Sequence, residues 1–296
     1  MKVLYVVGVN LNRNTSANIS HNAYVQGFLE NNCEVDILMA SSSWGEKDST
    51  LRTWKKANYF TYNSIAFTEK LKNKFKYFFD KKELIKSEEI NATVFSAESL
   101  NQQSWKGKFR NVIKKFYDFL FKTSNVYNLE KTWLKNASLF KSSHSYDVII
   151  SNSSPAASHK LVLDLLAKKN ITGKRWIQIW EDPWFFDLYA GHGEMIKKEE
   201  HKLLQAAQEI YYVSSLTLNY QRIHFPDCAY KMKHIPLPYL KFSENKSRGN
   251  SGKCIFGYFG DYYSKTRNLK PFYEAVLESG AAANIFGDSD LFLKSN

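Results

Sequence analysis

The stretch "KVLYVVGV" (residues 2–9) decides the fold of this chain of 296 residues. Its nearly unbroken apolar character is typical of a strand that is buried on both faces of a parallel sheet. The polar loop "NLNRNTS" follows it, and then the helical pattern "SANISHNAYVQGFLENN", which should turn Ala23, Phe28 and Leu29 towards a core. A second apolar strand, "CEVDILMAS", completes a β-α-β unit. This order predicts a doubly wound α/β fold.

The same alternation of apolar strands and amphipathic helices returns later in the chain. The later strands are "YDVIISNSSP" (residues 146–155), "KRWIQIWEDPW" (174–184), "EIYYVSS" (209–215) and "KHIPLPY" (233–239). Helical patterns separate them, and for the first of these we expect Ser154 as the N-cap and Pro155 at the first helical position. The sequence therefore predicts an N-terminal Rossmann-like domain over residues 1–240.

A polar stretch and a second β-α-β unit complete the chain. Residues 241–253, "KFSENKSRGNSGK", are polar and glycine-bearing, and we interpret them as an interdomain linker. Residues 254–296 contain an apolar strand, a polar loop, an amphipathic helix and another apolar strand. They predict the incomplete start of a second Rossmann-like domain.

Positive charge is concentrated in residues 51–141, which we interpret as an insertion in the first domain. The chain has a net charge of +12, and this stretch alone holds 19 Lys and Arg against 8 Asp and Glu. Its segment "WKGKFRNVIKKFYDFLFK" (residues 105–122) predicts a helix with one aromatic face and basic flanks. Such a helix either attaches to an anionic membrane surface or packs on the sheet with a solvated basic face. Both interpretations stay open. Nucleic acid is a less favoured partner for this stretch than an anionic membrane surface.

The remaining composition favours a folded protein of a reducing compartment. The three cysteines, Cys33, Cys228 and Cys254, are far apart and form no C-x-x-C pair, so we expect neither disulfides nor a metal cofactor. His159 and His192 lack metal-ligand spacing and are expected to be structural or exposed. No stretch approaches the length of a membrane-spanning helix. We therefore expect a cytoplasmic protein that is at most peripheral at the inner membrane face.

Polar residues follow the predicted strands at the edge where parallel sheets bind ligands. Glu181 and Asp182, in "WIQIWEDPW", are the candidate catalytic residues, because a carboxylate held there can act as a base or bind a sugar hydroxyl. The alternative is an Asp182 that only caps a short helix. The candidate acceptor-binding residues lie after the first and third apolar strands and are Asn10, Asn12, Arg13, Asn18 and Ser154.

The loop "GDYYSKTRN" in the second unit is suited to an anion. Gly260 allows close approach of the backbone, and Lys265 and Arg267 precede a helix that should begin near Leu269. A pyrophosphate would find charge-assisted donors beside a helix N-terminus. With Asn268, these residues are the candidate donor-binding set, and a solvated loop is the alternative.

These stretches together resemble a known family. "ISNSSPAASHKLVLDLLAKK", "WIQIWEDPW", "AAQEIYYVSSLTLNYQ", "KHIPLPY" and "GYFGDYYSKTRNLKPFYEA" are similar to retaining, family 4-like glycosyltransferases with two Rossmann-like domains (GT-B). The resemblance implies that the first domain binds the acceptor and that the second binds a nucleotide-sugar. It also implies that Arg267 contacts the donor pyrophosphate and that no metal takes part.

The chain departs from this family pattern at three places. Asp261 stands where the family commonly has its first cation, so Lys265 is expected to substitute for it. Glu181 and Asp182 stand where many members have a histidine. The family's later pair of glutamates is missing, which leads us to expect a C-terminally truncated transferase that is inactive alone.

The implied reaction is the transfer of a sugar to a carbohydrate or lipid-linked acceptor, in cell-surface polysaccharide synthesis. Two other functions stay open on the sequence. One is a nucleotide-sugar 2-epimerase of the same architecture, and the other is a non-enzymatic basic module that binds membranes or nucleic acid. The sequence leaves the sugar, the nucleotide, the acceptor and the oligomeric state undetermined.

Overall fold

The computed structural model describes residues 1–41, 46–48, 51, 54–65, 126–128, 130–153, 155–186, 193–240, 255–259 and 268–286. The chain divides into two compact units, Met1–Lys241 and Phe242–Asn296. The predicted linker and the basic helix predicted for residues 105–122 lie outside the described residues.

A seven-stranded parallel sheet forms the centre of the first unit. In chain order the strands of this unit are β1 (Lys2–Val7), β2 (Arg13–Asn14), β3 (Glu34–Ala40), β4 (Glu46–Lys47), β5 (Ala57–Tyr62), β6 (Ser145–Tyr146), β7 (Val148–Asn152), β8 (Thr172–Gly173), β9 (Trp176–Trp180), β10 (Glu209–Tyr212) and β11 (Met232–His234). The sheet has the order β5-β3-β1-β7-β9-β10-β11, and each neighbouring pair is parallel. The predicted Rossmann-like α/β sheet is confirmed.

Helices cover both faces of this sheet. They are α1 (Ser16–Glu30), α2 (Lys131–Ala137), α3 (Ala157–Ala167), α4 (Gly193–Ala206) and α5 (Ser215–His224), and a 3-10 helix spans Pro226–Lys231. Successive side chains of a strand point to opposite faces. Leu4 of β1 therefore packs in one buried cluster with residues of α2 to α5, and Tyr5 packs in another with Val25 of α1. In the described part of the chain no helix combines the length and apolar character needed to cross a bilayer.

Local sequence explains where two of these helices begin. The Thr15 hydroxyl accepts the backbone N–H of Asn18 at 3.2 Å and caps α1, and the Ser214 hydroxyl accepts that of Thr217 at 3.3 Å and caps α5. A hydroxyl at this position satisfies one of the free N–H groups of the first turn.

The start of α3 differs from the expectation. The helix begins at Ala157, with Ala156 as its N-cap, two residues beyond the predicted first helical position. The carbonyl oxygen of Pro155 accepts the N–H of Ser158 at 3.1 Å, so a tight turn precedes the helix. Ser154, the expected N-cap, lies outside the described residues.

Both ends of the basic stretch 51–141 are part of the sheet domain, although the sequence analysis assigned the whole stretch to an insertion. Strand β5 pairs in parallel with β3 at the edge of the sheet, and α2 buries Trp133 and Ala137 in the core. The strand pattern was missed because an edge strand is only half buried, and "ANYFTY" mixes polar and apolar residues accordingly. Tertiary packing therefore decides the structure of these ends.

The second unit contains the predicted β-α-β arrangement. Strands β12 (Ile255–Phe259) and β13 (Ala282–Phe286) pair in parallel, and helix α6 (Lys270–Ser279) connects them. Leu269 is the N-cap of α6, which agrees with the helix start that the sequence predicted. The helix ends at Gly280, whose φ of 62° is the left-handed conformation that glycine adopts readily.

The strand order reverses between β1 and β7, and this reversal positions the candidate site. From β1 the chain adds β3 and β5 on one side, and from β7 it adds β9, β10 and β11 on the other. In the register, Val7 lies beside Asn152, which in turn lies beside Ile179. The carboxyl ends of β1, β7 and β9 thus meet at the topological switch point, where open α/β sheets bind ligands.

A glycine holds the loops after β1 and β7 close together. A Cβ added to Gly8 would lie 2.4 Å from Cδ of Pro155 and 3.2 Å from Cζ3 of Trp133. Real Cβ atoms do not approach so closely, and the proline ring is stiff. Only glycine therefore permits this contact at the switch point.

Replacing Gly8 with Ala should lower the free energy of unfolding by about 1–3 kcal/mol, because the new methyl group overpacks the contact with Pro155. Gly27 is the matched control, because a Cβ there meets nothing within 4 Å. Gly27 lies in the last turn of α1, where Gly27→Ala should raise the free energy of unfolding by up to about 1 kcal/mol. Urea unfolding of both variants checks this, and a Gly8→Ala protein as stable as wild type would contradict the packing described.

Candidate functional site

A cluster of buried polar side chains lies at the switch point. Two members come from strands β1 and β7, two come from the loops after β7 and β9, and two come from one face of α1. We call it the Glu181 cluster, and its members are Tyr5, His21, Tyr24, Asn152, Ser153 and Glu181.

A hydrogen-bond chain connects three members of this cluster. The Asn152 Nδ2 donates to the Tyr5 hydroxyl at 3.0 Å, and the hydroxyl lies 3.0 Å from Nδ1 of His21. The hydroxyl can accept from Asn152 and donate to Nδ1 at the same time, and in that arrangement the His21 proton is on Nε2. Burial lowers the pKa of His21 to about 3, so the ring is neutral at physiological pH.

Glu181 is held at the edge of this chain. Its backbone N–H donates to Oγ of Ser153 at 3.0 Å, and its Oε1 lies 3.9 Å from Nδ1 of His21. The side chain is only 11% exposed. Burial, and secondly the neighbouring charge of Asp182, raise the pKa of Glu181 to about 8. The carboxyl is therefore mainly protonated at neutral pH, and it can exchange a proton close to that pH.

Four atoms of the cluster are buried without a hydrogen-bond partner among the described residues. They are Oε1 of Glu181, Nε2 of His21, Oδ1 of Asn152 and the hydroxyl of Tyr24. A buried polar group without a partner costs about 1–3 kcal/mol, so such an atom is expected to pair with an ordered water molecule or with a ligand. Both donors and acceptors are present, and none of the four carries a positive charge. The arrangement suits a neutral ligand with several hydroxyl groups.

A cleft of about 200 Å³ lies beside the cluster, between the loops after β7 and β9. Its walls include Ser153, Ala156, Asp182 and Trp184. Asp182 is exposed, whereas Glu181 next to it is largely buried. The two candidate catalytic residues thus face different environments, and Glu181 has the environment that changes its proton affinity.

The predicted acceptor residues near α1 shape the loop after β1. Asn18 is buried, and its Nδ2 donates to the carbonyl oxygens of Asn10 and Arg13, both at 2.8 Å. Oδ1 of Asn10 accepts the backbone N–H of Asn12 at 3.0 Å, and Arg13 belongs to the short strand β2. These contacts hold the loop against α1. The structure thus brings Asn10, Asn12 and Arg13 together with Asn18 of α1, whereas Ser154 lies outside the described residues.

Of the predicted donor-binding residues, only Asn268 is described. Its Oδ1 accepts the backbone N–H of Lys270 at 2.9 Å, which satisfies a free N–H group at the start of α6. Gly260, Lys265 and Arg267 lie outside the described residues.

The sequence analysis missed five members of the Glu181 cluster: Tyr5, His21, Tyr24, Asn152 and Ser153. It expected α1 to face the core with Ala23, Phe28 and Leu29, of which Ala23 is buried and the other two are partly buried. Asn18, His21 and Asn22 are buried instead. Their spacing of three and four residues is that of one helical face, so this polar stripe was the available signal.

The other histidine in the core of the sheet domain has a structural environment. His159 is fully buried, with Nδ1 2.7 Å from Oγ of Ser151 and its ring centroid 4.2 Å from that of Trp180. Burial lowers its pKa to about 3. This agrees with the structural role expected from the sequence, and His192 lies outside the described residues.

Comparison with known proteins yields little. No protein-family model matches the chain, and no curated protein is similar to it in sequence. Among solved structures, it is similar to HepE from Anabaena, which was crystallised in complex with UDP and glucose. That similarity has a TM-score of 0.41 and 10% sequence identity, over 97% of this chain and 69% of the HepE chain.

Replacing Glu181 with Gln should change how stability depends on pH. The folded protein holds the Glu181 proton up to about pH 8, whereas the unfolded chain releases it near pH 4.5. Ionisation therefore costs the wild type stability as the pH rises through this window. Relative to wild type, Glu181→Gln should become progressively more stable between about pH 5 and pH 8, as measured by urea unfolding.

Glu209→Gln is the control of opposite sign. Its carboxylate accepts a hydrogen bond from Lys233, which lowers the pKa of Glu209 to about 2. This variant should lose stability at neutral pH, and the loss should fade below about pH 4.5. A difference between wild type and Glu181→Gln that does not change with pH would contradict the burial of an uncharged Glu181.

Proposed function

We propose that this chain is part of a glycosyltransferase that transfers a sugar from a nucleotide-sugar to a hydroxyl group of an acceptor. The proposal includes the retaining, family 4-like mechanism of the group that the sequence resembles. The first unit would bind the acceptor and the second would bind the donor. The likeness to HepE is too slight to support this, so the proposal rests on the site and on the sequence motifs.

The observation that carries the proposal is the buried Glu181 carboxyl at the switch point. Near it, fully buried atoms of His21 and Asn152 have no partner among the described residues, and neutral hydroxyl groups are their chemical complement. A proton acceptor works best when its pKa lies near the operating pH, and burial raises the pKa of Glu181 to about 8. Position, ligand chemistry and proton affinity therefore all suit activation of an acceptor hydroxyl.

In the proposed reaction Glu181 acts in its ionised form. The acceptor hydroxyl oxygen bonds to the anomeric carbon of the donor sugar on the face from which the nucleoside diphosphate departs. The bond from that carbon to the diphosphate breaks, and the configuration at the carbon is retained. The hydroxyl proton passes to the Glu181 carboxylate, and the bonding electrons leave with the diphosphate. Asp182 keeps the proton affinity of Glu181 high through its negative charge. The neutral His21, whose Nδ1 lies 3.9 Å from the Glu181 carboxyl, does not compete for the proton.

The donor side of the proposal comes from the sequence motif alone. Lys265 and Arg267 would stabilise the negative charge that develops on the leaving diphosphate. Gly260 would let the backbone approach the phosphates, and Asn268 would belong to the same loop. We propose no metal cofactor for this transfer.

The proposed acceptor is a carbohydrate or a lipid-linked sugar in cell-surface polysaccharide synthesis. A lipid-linked acceptor would place the reaction at the cytoplasmic face of a membrane, where the concentration of Lys and Arg in residues 51–141 would favour anionic lipids. An acceptor hydroxyl, rather than an acidic group, is the chemistry that the neutral Glu181 cluster fits.

The protein should form a glycosylated product from one of a panel of nucleotide-sugars and a set of carbohydrate and lipid-linked acceptors. In Glu181→Gln, product formation should fall by about 10²–10⁴-fold, because Gln cannot take the hydroxyl proton. Mass spectrometry of the products measures both effects and identifies the transferred sugar.

Glu34→Gln is the matched control. Glu34 is exposed and begins β3, so it lies at the amino-terminal ends of the strands, whereas Glu181 lies at their carboxyl ends. Its activity should equal that of wild type. Isomerisation of a donor in the absence of acceptor would replace the proposal with an epimerase. Full transferase activity in Glu181→Gln would contradict the assigned role of Glu181.

A further inference from the structure

A second group of chemistry-bearing side chains lies between α4 and the 3-10 helix. His201 comes from α4, and Asp227 and Cys228 come from the 3-10 helix. One donor atom from each residue, a nitrogen, an oxygen and a sulfur, lies within 4.8 Å of the others. We call this group the His201 cluster. It shares no residue with the Glu181 cluster and does not depend on the proposed function.

The His201 and Cys228 side chains both contact the Asp227 carboxylate. Nε2 of His201 lies 2.8 Å from Oδ2 and 3.0 Å from Oδ1 of Asp227, and Sγ of Cys228 donates to Oδ2 at 3.7 Å. In a tetrahedral zinc site the donors lie about 2.0–2.3 Å from the metal and hence about 3.3–3.8 Å from one another. To admit the metal, Asp227 must move away from His201 by about half an ångström, and the donor atoms of His201 and Cys228, up to 4.8 Å apart, must approach each other by about 1 Å. Small side-chain rotations would provide both movements.

A lysine side chain links the two backbone segments that carry the His201 cluster. Nζ of Lys231 donates to the carbonyl oxygens of Gln205 at 2.7 Å and of Ala207 at 2.9 Å. Lys231 ends the 3-10 helix, so these bonds tie that helix to the end of α4. The His201 ring also stacks on Phe225, with ring centroids 5.5 Å apart. The elements that carry the donors are thus held together before any metal binds, which lowers the entropy cost of binding.

Gln205 supplies a fourth side chain one helical turn after His201. Its Nε2 donates to Oδ2 of Asp227 at 3.1 Å. Rotation of the amide group by half a turn presents Oε1 at the same place, where it can complete a four-coordinate site. A water molecule can occupy that position equally well.

The chemistry of these donors favours one metal. Imidazole, thiolate and carboxylate together match the ligands of zinc, whereas magnesium and calcium prefer oxygen ligands alone. Burial and the charge of Asp227 raise the pKa of the Cys228 thiol to about 11. Binding would displace that thiol proton to solvent, and the charges of thiolate and carboxylate would then balance those of Zn²⁺.

We infer that His201, Asp227 and Cys228 bind a zinc ion that joins α4 to the 3-10 helix. The sequence could not indicate this site, because its donors are separated by 26 and 27 positions and form no metal-ligand motif. The role is structural, because the cluster includes no residue of the Glu181 cluster and lies on different elements.

The test uses the reduced, EDTA-treated and desalted chain of 296 residues. Calorimetric titration with ZnCl₂ should show one ion bound per chain. Titration with Co²⁺ should produce a near-ultraviolet thiolate-to-cobalt absorption band. Cys228→Ser should abolish the band, and His201→Asn should weaken zinc binding by at least about 10-fold. Cys33→Ser, the matched control, removes another buried thiol and should change neither result.

Two results would overturn the inference. One is a wild-type protein that binds no zinc and gives no thiolate-to-cobalt band. The other is a band that persists in Cys228→Ser, which would place the metal on other residues. His201 is 38% exposed, so His201→Asn should fold normally and give a clear answer even if Cys228→Ser is unstable. The circular dichroism spectrum and thermal midpoint without zinc establish that each variant is folded.

Discussion

The parallel pairing of β7 with both β1 and β9 is the constraint on which the candidate site depends. It places Val7, Asn152 and Ile179 side by side, so the polar residues after three separate strands reach one point. A shift of one residue in either pairing would turn Asn152 to the other face of the sheet. The apolar residues of these strands, buried on both faces, prevent that shift, because they would then lose their packing. The core therefore fixes the geometry of the site.

Burial gives the Glu181 cluster its chemistry. In water a glutamate is ionised at neutral pH, but the Glu181 side chain is nearly enclosed, and Asp182 is the one charged group among the described residues that affects its pKa. The free energy lost by removing a carboxylate from water is therefore not regained from a cation, and the carboxyl keeps its proton. The same burial keeps His21 neutral. Between about pH 5 and pH 6, where both groups would be charged in water, they are thus both uncharged in the folded protein.

The apolar pattern of the sequence was enough to predict the sheet. The strands β1, β3, β7, β9 and β10 are short apolar runs, and each was found where it was expected. Strand β5 was missed because its residues are only half buried at the edge of the sheet. The position of Glu181 at a strand end was also predictable, but its proton affinity was not, because that depends on side chains from α1. The polar stripe of Asn18, His21 and Asn22 on α1 was visible in the sequence, but its burial was not, because the polar face of a helix usually faces solvent.

The protonation state of Glu181 tests the central claim most directly. Carbon-13 NMR of protein labelled at the glutamate side-chain carboxyl, with Glu181→Gln to assign the resonance, follows this group through a pH titration. We predict a neutral carboxyl at pH 7 that titrates near pH 8. A Glu181 resonance that titrates near pH 4.5, as a glutamate in water does, would contradict this description of the site.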